Sequence, residues 1–294
     1  GFSGELWGET LAATVRQARD GEQLGELDIA VTGPLAADSL REWLDLDLLR
    51  LAQGETTAKM HIRVPPGGGA RLEGSSNLEG VALDLPSPWH KRPEESRQLY
   101  FEMPLAAGDR TLRLSLDHTA FLAINLGEDG VTGGNIGFGT PLGLQTEGRF
   151  LLGGKLDYLG WDEWNAFVER YLSDGRPGAI LTSIRELQVG TLAIFGRELE
   201  DVVLSGAETE DSWRFQFTTD WAAGELLVPD DLSRLDIELE RLDTAGFVAV
   251  LQADTGALAG DTAMPPVAVS IASLREGEDE WGNLSFSLRS SGRV

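Results

Sequence analysis

Residues 111–126 read TLRLSLDHTAFLAINL. Leu112, Leu114 and Leu116 fall at every second position, and so do Leu122, Ile124 and Leu126. A period of two places each trio on one face of an extended strand and sends the intervening residues to the other face. The same alternation returns in WRFQF (213–217), LDIEL (235–239) and LSFSL (284–288). There Trp213, Phe215 and Phe217 share a face, as do Leu235, Ile237 and Leu239, and Leu284, Phe286 and Leu288. Strands with one apolar and one wet face belong to antiparallel sheets, because parallel sheets covered on both sides read as unbroken apolar runs.

Turn signals separate these strands: Pro65-Pro66-Gly67-Gly68-Gly69, Gly108-Asp109, Glu128-Asp129-Gly130 and Asp174-Gly175. With 36 glycines the chain reads as many short, closely spaced strands. Helical pattern is scarce. Residues 37–52 suggest one helix, with Asp38 or Ser39 as its N-cap. Residues 160–172 give the clearest one: Trp161, Trp164, Phe167, Val168 and Tyr171 form a single helical stripe, and Asp162 and Glu163 sit in its first turn. The stripe reads as a cap on the sheet. Segments 86–97, 207–212 and 253–266 are looser, and none is long enough for a flexible tether.

One phrase occurs twice. VTGPLAADSLREWL (31–44) and LGGKLDYLGWDEWN (152–165) both fit apolar-x-Gly-x-Leu with a Trp eight residues after the Leu. Val31, Gly33, Leu35 and Trp43 match Leu152, Gly154, Leu156 and Trp164, 121 residues later. Self-similarity at long period points to repeated units that present an extended surface in place of one deep pocket. The expected division is 1–147 and 148–294, two segments of one continuous sheet.

Composition bounds the function. The chain has 294 residues, 24 Lys+Arg against 48 Asp+Glu, and a net charge of −24. Nucleic acid is not an expected partner, because phosphate neutralisation needs clustered cations. The acids fit the outer, solvated face of a large sheet. No Cys is present, so disulfides and thiolate metal sites are excluded. The chain shows no signal peptide and no apolar run near 18 residues, and reads as a soluble piece of something longer.

Motifs for chemistry are missing. His61, His90 and His118 have no metal-ligand spacing, and no Gly-x-Ser-x-Gly elbow or P-loop occurs. Gly133-Gly134-Asn135-Ile136-Gly137-Phe138-Gly139 resembles a nucleotide loop only superficially, since Pro141 opposes the helix that would hold a pyrophosphate. It reads as a glycine-kinked strand. Acid pairs such as Asp162 with Glu163, Glu208 with Glu210 and Glu278 with Asp279 are expected among 48 acids. A glycosidase needs two carboxyls converging across a cleft, which the sequence neither requires nor rules out. The expectation is a non-enzyme with no cofactor and no metal.

Residues 76–91, SNLEGVALDLPSPWHK, resemble a phrase of the AsmA-like YhdP family, carried here by Ser76, Leu78, Gly80, Val81, Leu83, Leu85, Pro86, Pro88, Trp89 and Lys91. Three further stretches are similar to the same family. They are Ile136-Gly137-Phe138-Gly139 leading to Gly154-x-Leu156 and Trp164, Val189-Gly190-x-Leu192 through Gly196-x-x-Leu199, and Trp213 followed by Ala223-Gly224-x-Leu226-x-Val228-Pro229. The chain departs from the pattern at Trp89, where the family more often has a smaller apolar residue, and in 141–149, which lacks a Leu-Pro.

The resemblance implies a Gram-negative periplasmic segment of a bridge-like protein, anchored in the inner membrane by a helix outside this chain. It implies an elongated, curved antiparallel sheet whose open apolar β-groove carries phospholipid acyl chains towards the outer membrane, with neighbouring repeats as further partners. On that reading Leu112, Leu114, Leu116, Leu122, Ile124, Leu126, Trp213, Phe215 and Phe217 line the groove. The alternative is a non-catalytic acidic β scaffold, adhesin-like, whose apolar faces meet in a closed core. The alternation alone fits both.

Overall fold

The structure, a computed structural model, describes residues 2–6, 9–20, 23–44, 47–105, 110–127, 130–143, 148–171, 181–194, 197–209, 211–231, 233–247 and 265–288. The chain is mainly β. It divides into two compact units, one within Gly1–Phe150 and the other within Leu151–Asp174 and Leu181–Val294.

The first unit holds β1 (Phe2–Leu6), β2 (Glu9–Asp20), β3 (Gln23–Ala36), α1 (Ala37–Leu44), a 3-10 turn (Asp47–Leu51), β4 (Ala52–Val64), β5 (Arg71–Ser76), β6 (Val81–Leu83), β7 (Leu99–Pro104), β8 (Thr111–Leu116), β9 (Ala120–Gly127) and β10 (Gly130–Phe138). Strand β11 (Arg149–Gly160) begins at the end of this unit and enters the next. The second unit continues with α2 (Trp161–Tyr171), β12 (Leu181–Ile194), β13 (Arg197–Glu208), β14 (Ser212–Thr218), β15 (Ala222–Pro229), β16 (Leu235–Asp243), β17 (Val267–Glu276) and β18 (Asp279–Leu288).

In the first unit β1, β2, β3, β4, β5, β7, β8, β9 and β10 pair in that order, every pair antiparallel. The short β6 lies beside the first three residues of β4. In the second unit β12 to β16 also form an antiparallel meander; the strands belong to one large mixed sheet, which among the described residues does not close. The alternating stretches quoted above all lie in strands: β8, β9, β14, β16 and β18.

The wholly antiparallel expectation needs one correction. β16 and β17 run parallel, with Leu235 beside Val267 and Leu239 beside Ile271. A parallel neighbour needs a connection long enough to carry the chain back to the end where the first strand began. The stretch 244–266, part of which read only as a loose segment, has that length. Residues 253–264 of that segment lie outside the described residues, as do Gly108-Asp109, Glu128, Asp129 and Asp174-Gly175 of the turn signals.

The helices differ in detail from expectation. Residues 37–52 divide into α1 and the 3-10 turn, and a second helix follows β11. Helix α1 starts at the buried Ala37, so Asp38 is already in its first turn, where it pairs with Arg41 at 3.1 Å. In α2 the rings of Trp164 and Phe167 meet edge to face, with centroids 5.7 Å apart. The side chains of Val168, Tyr171 and Trp43 lie outside the described residues. Both copies of the repeated phrase run from strand directly into helix: Val31, Gly33 and Leu35 lie in β3, and Leu152, Gly154 and Leu156 in β11. Strand β11 extends further past its Leu than β3 does, so Trp164 falls in the first turn of α2 whereas Trp43 falls late in α1.

Candidate functional site: one apolar sheet face in each unit

Strand register sorts side chains by face, and in the first unit the sorting is nearly complete. One cross-strand row runs Ala13, Val31, Met60, Gly74, Phe101, Leu114, Leu122, Ile136. The adjacent row, one residue along each strand, runs Thr14, Ala30, His61, Glu73, Glu102, Arg113, Ala123, Asn135. Successive residues point to opposite faces, so one face of eight strands is apolar and the other carries the charge.

The apolar face is covered in part. Leu35, Ala58 and Met60 are buried with Val31, Leu72, Phe101 and, from α1, Leu40. A second cluster joins Met103, Leu112, Ile124 and Leu126 to Leu114, Leu122, Val131 and Leu49 of the 3-10 turn. The segment after β3 thus places two leucines on the face. At roughly 25 cal/mol per Å² of apolar area removed from water, each well-covered Leu contributes about 2 kcal/mol. Beyond that cover the face stays partly accessible: Ile29, Ile62, Leu116 and Ile136 are half-buried, and Val15 is 45% exposed.

The second unit repeats the arrangement. Phe215 stands between Gly206 and Leu226, and Leu226 faces Ile237, which in turn pairs with Val269 and then Phe286. Ala222, Leu242 and Ile271 are buried here, packed by Phe217, Trp221, Leu239, Val269 and Leu274. Trp213 and Phe215 stack with centroids 5.2 Å apart and planes 6° from parallel. At the last strand, β18, Leu284, Phe286 and Leu288 are 42%, 41% and 52% exposed.

Register therefore puts Leu112, Leu114, Leu116, Leu122, Ile124 and Leu126 on one face of the first unit, and Trp213, Phe215 and Phe217 on one face of the second. Their accessibility differs. Leu112, Ile124, Leu126 and Phe215 are buried, whereas Leu114, Leu116, Leu122, Trp213 and Phe217 keep part of their surface open.

A family model described as YhdP protein matches residues 1–294. The chain belongs to the YhdP family. No curated protein and no solved structure matches it.

The YhdP phrase at 76–91 forms a structured segment that runs from the end of β5 through β6 to Lys91. Ser76 is buried, and its Oγ accepts from the Leu78 amide at 3.0 Å and donates to the Thr57 carbonyl at 3.0 Å. These bonds hold Leu78 at φ 54°, a left-handed conformation that costs a non-glycine residue energy. Gly80 sits at φ 93°, where an added Cβ would lie 2.2 Å from the Glu55 carbonyl oxygen. Trp89 is buried and stacks on Phe138, the last residue of β10, at 5.0 Å. Lys91 has no exposed surface; its ammonium donates to the carbonyls of Val81 (2.6 Å) and Arg92 (2.9 Å). Burial pushes its pKa down, and Glu95 partly opposes that shift. The buried polar atoms of Ser76 and Lys91 are thus spent on nearby backbone, within the phrase and at Thr57 and Arg92.

The opposite faces carry ion pairs. Glu73 meets Arg71 at 2.9 Å and Arg63 at 3.5 Å, and His61 meets Asp28 at 3.0 Å. In the second unit Glu225 accepts from Gln216 at 3.0 Å and Arg214 at 3.2 Å, and these hydrogen bonds lower its pKa. Among the described residues, no three His, Asp or Glu side chains converge as a metal site would need, and no helix is long and apolar enough to cross a membrane.

The candidate lining omitted β2 to β5, β7, β10 and β15 to β18. The alternation of Met60, Ile62 and Val64 in AKMHIRV was visible, as was that of β16 and β18. In VTGPLA the signal is diluted by Gly33 and Pro34, and in β10 by four glycines.

Proposed function

We propose that this chain is a periplasmic segment of a bridge-like lipid transfer protein and that phospholipid acyl chains travel against the apolar sheet faces. The observation that carries the reading is the face-sorted register: eight consecutive strands with a wholly apolar row on one side and a polar row on the other. Open sheets with one apolar face need something apolar to cover it, and exposed Leu284, Phe286 and Leu288 extend that need to the edge of the second unit. An acyl chain gains about 0.8 kcal/mol per methylene removed from water. A head group left in solvent avoids the cost of burying charge without a partner. Movement then needs no bond-making residue, and the protein acts without catalysis, cofactor or metal. Full-length context supplies the inner-membrane anchor and the neighbouring repeats, and delivery runs between the inner and outer membranes.

The test is native mass spectrometry of the gently purified chain, with lipid identified after organic extraction. Co-purifying phospholipid in defined stoichiometry supports transfer. An apo mass with no uptake from added phospholipid rejects it in favour of a second reading, a non-catalytic scaffold with dry cores. The buried cluster of Met103, Leu112, Ile124 and Leu126 under Leu49 is the observation that favours that second reading.

A further inference from the structure

The polar face of the first unit is not uniformly charged. Tyr100, Ser115 and Phe121 form one cross-strand row on β7, β8 and β9. The small Ser115 between two rings leaves a recess, and Ala123 on β9 extends its floor into the next row. Leu142 walls the far side, because the chain after β10 folds back over Gly137: an added Cβ there would lie 2.2 Å from the Thr140 carbonyl. The recess has a volume of about 350 Å³, at the small end of the roughly 300–1,000 Å³ typical of ligand sites.

Three features define what fits. Tyr100 is 42% exposed, and its ring is braced by stacking on His118 at 5.0 Å, so it offers a fixed aromatic plane. Ser115 itself is small and its hydroxyl oxygen is closed off from solvent, so between the two rings it supplies room and a flat floor and no hydrogen bond to a ligand. The charged rim is balanced: Glu73 is paired with Arg71 and Arg63, and Glu102 stands directly opposite Arg113. A balanced rim offers donors and acceptors without selecting an ion. An aromatic plane, a small flat floor and a rim of alternating donors and acceptors suit an uncharged sugar ring, with C–H groups on one face and hydroxyls around its edge.

We infer that the recess between Tyr100 and Phe121 is a binding site for a neutral saccharide unit, on the sheet face opposite the apolar one. It would let the protein dock on a glycan without occupying the lipid-facing side.

The test is a titration of the 294-residue chain with maltose and with chitobiose, followed by ligand-observed NMR. The expected result is saturable binding of at least one sugar, with Kd on the order of 1 mM. Tyr100→Ala should weaken it about tenfold or more through loss of the aromatic plane. Ser115→Val should weaken it with unchanged circular dichroism and no fall in melting temperature, since it fills the recess with methyl groups and removes a buried unpaired hydroxyl. Absence of saturation with both sugars, or binding that Tyr100→Ala leaves intact, overturns the assignment. Binding that raised salt abolishes also overturns it, because it would mark an ionic contact.

Discussion

The ring of Phe101 lies over Gly74, its direct partner across β5 and β7: a Cβ on Gly74 would stand 2.2 Å from the ring. Phe215 covers Gly206 across β13 and β14 in the same way, at 2.7 Å. Glycine removes a side chain from the apolar face, and the neighbouring ring fills the gap and keeps backbone dry. Gly74→Ala should force the ring off its seat and cost about 1–3 kcal/mol, as overpacking does. Chemical denaturation would read this. Adding Phe101→Leu to Gly74→Ala should recover part of the loss, and a strictly additive pair would show that the contact carries no weight.

Leu114 and Ile124 separate surface from core on the same face. Ile124 is 2% exposed and sits inside the Met103 cluster, whereas Leu114 is half-buried at its margin. Ile124→Ala should lower stability by about 2–5 kcal/mol. Leu114→Asp should instead abolish phospholipid occupancy, with circular dichroism unchanged. If Leu114→Asp simply unfolds the chain, that position belongs to a closed core and the transfer reading loses its best residue.

Lys91 makes the family loop sensitive to alkali. Burial lowers its pKa, so between that lowered value and the ordinary lysine range the unfolded state binds more protons than the folded one. The sign follows: its contribution to stability rises with pH through that window and levels off above it. Below the window, folding carries the cost of a buried ammonium. In a comparison of wild type with Lys91→Met across this pH range, the stability difference should shift in favour of wild type as pH rises. A difference that stays flat would mean that the ammonium is solvated.

Phe286 and Leu288 on β18 are open to solvent, so charge there should cost little. Phe286→Lys with Leu288→Lys is expected to change stability by no more than about 0.5 kcal/mol per site. The same pair should reduce binding of an environment-sensitive apolar dye to the folded chain. Undiminished dye binding would place the accessible apolar surface elsewhere.

Strands were legible where side chains alternate cleanly. TLRLSL and WRFQF became β8 and β14; WRFQF packs one face and wets the other, whereas β8 keeps neither face fully exposed and shows its two faces only in chemistry. Adjacency was not legible, because a period of two says which residues share a face but not which strand lies beside it. Only the register shows that Leu114 stands between Phe101 and Leu122. The parallel step at β16 and β17 was hidden for a related reason, since nothing in LDIEL specifies the direction of its neighbour. Loop 76–91 was recognised as a family phrase, yet its work depends on contacts far along the chain, such as Trp89 on Phe138. The saccharide recess left no sequence signal, because Tyr100, Ser115 and Phe121 are brought together by three strands.

The parallel step at β16 and β17 also reverses the count of strand directions. In an uninterrupted meander β18 would run the same way as β16; here it runs the opposite way, and Leu288 finishes in the row of Val267 and Leu235. The polypeptide therefore leaves β18 at the end of the sheet where β16 was entered. One inverted neighbour, four of whose eight pairs join Leu, Val or Ile, decides from which rim of this unit the chain departs.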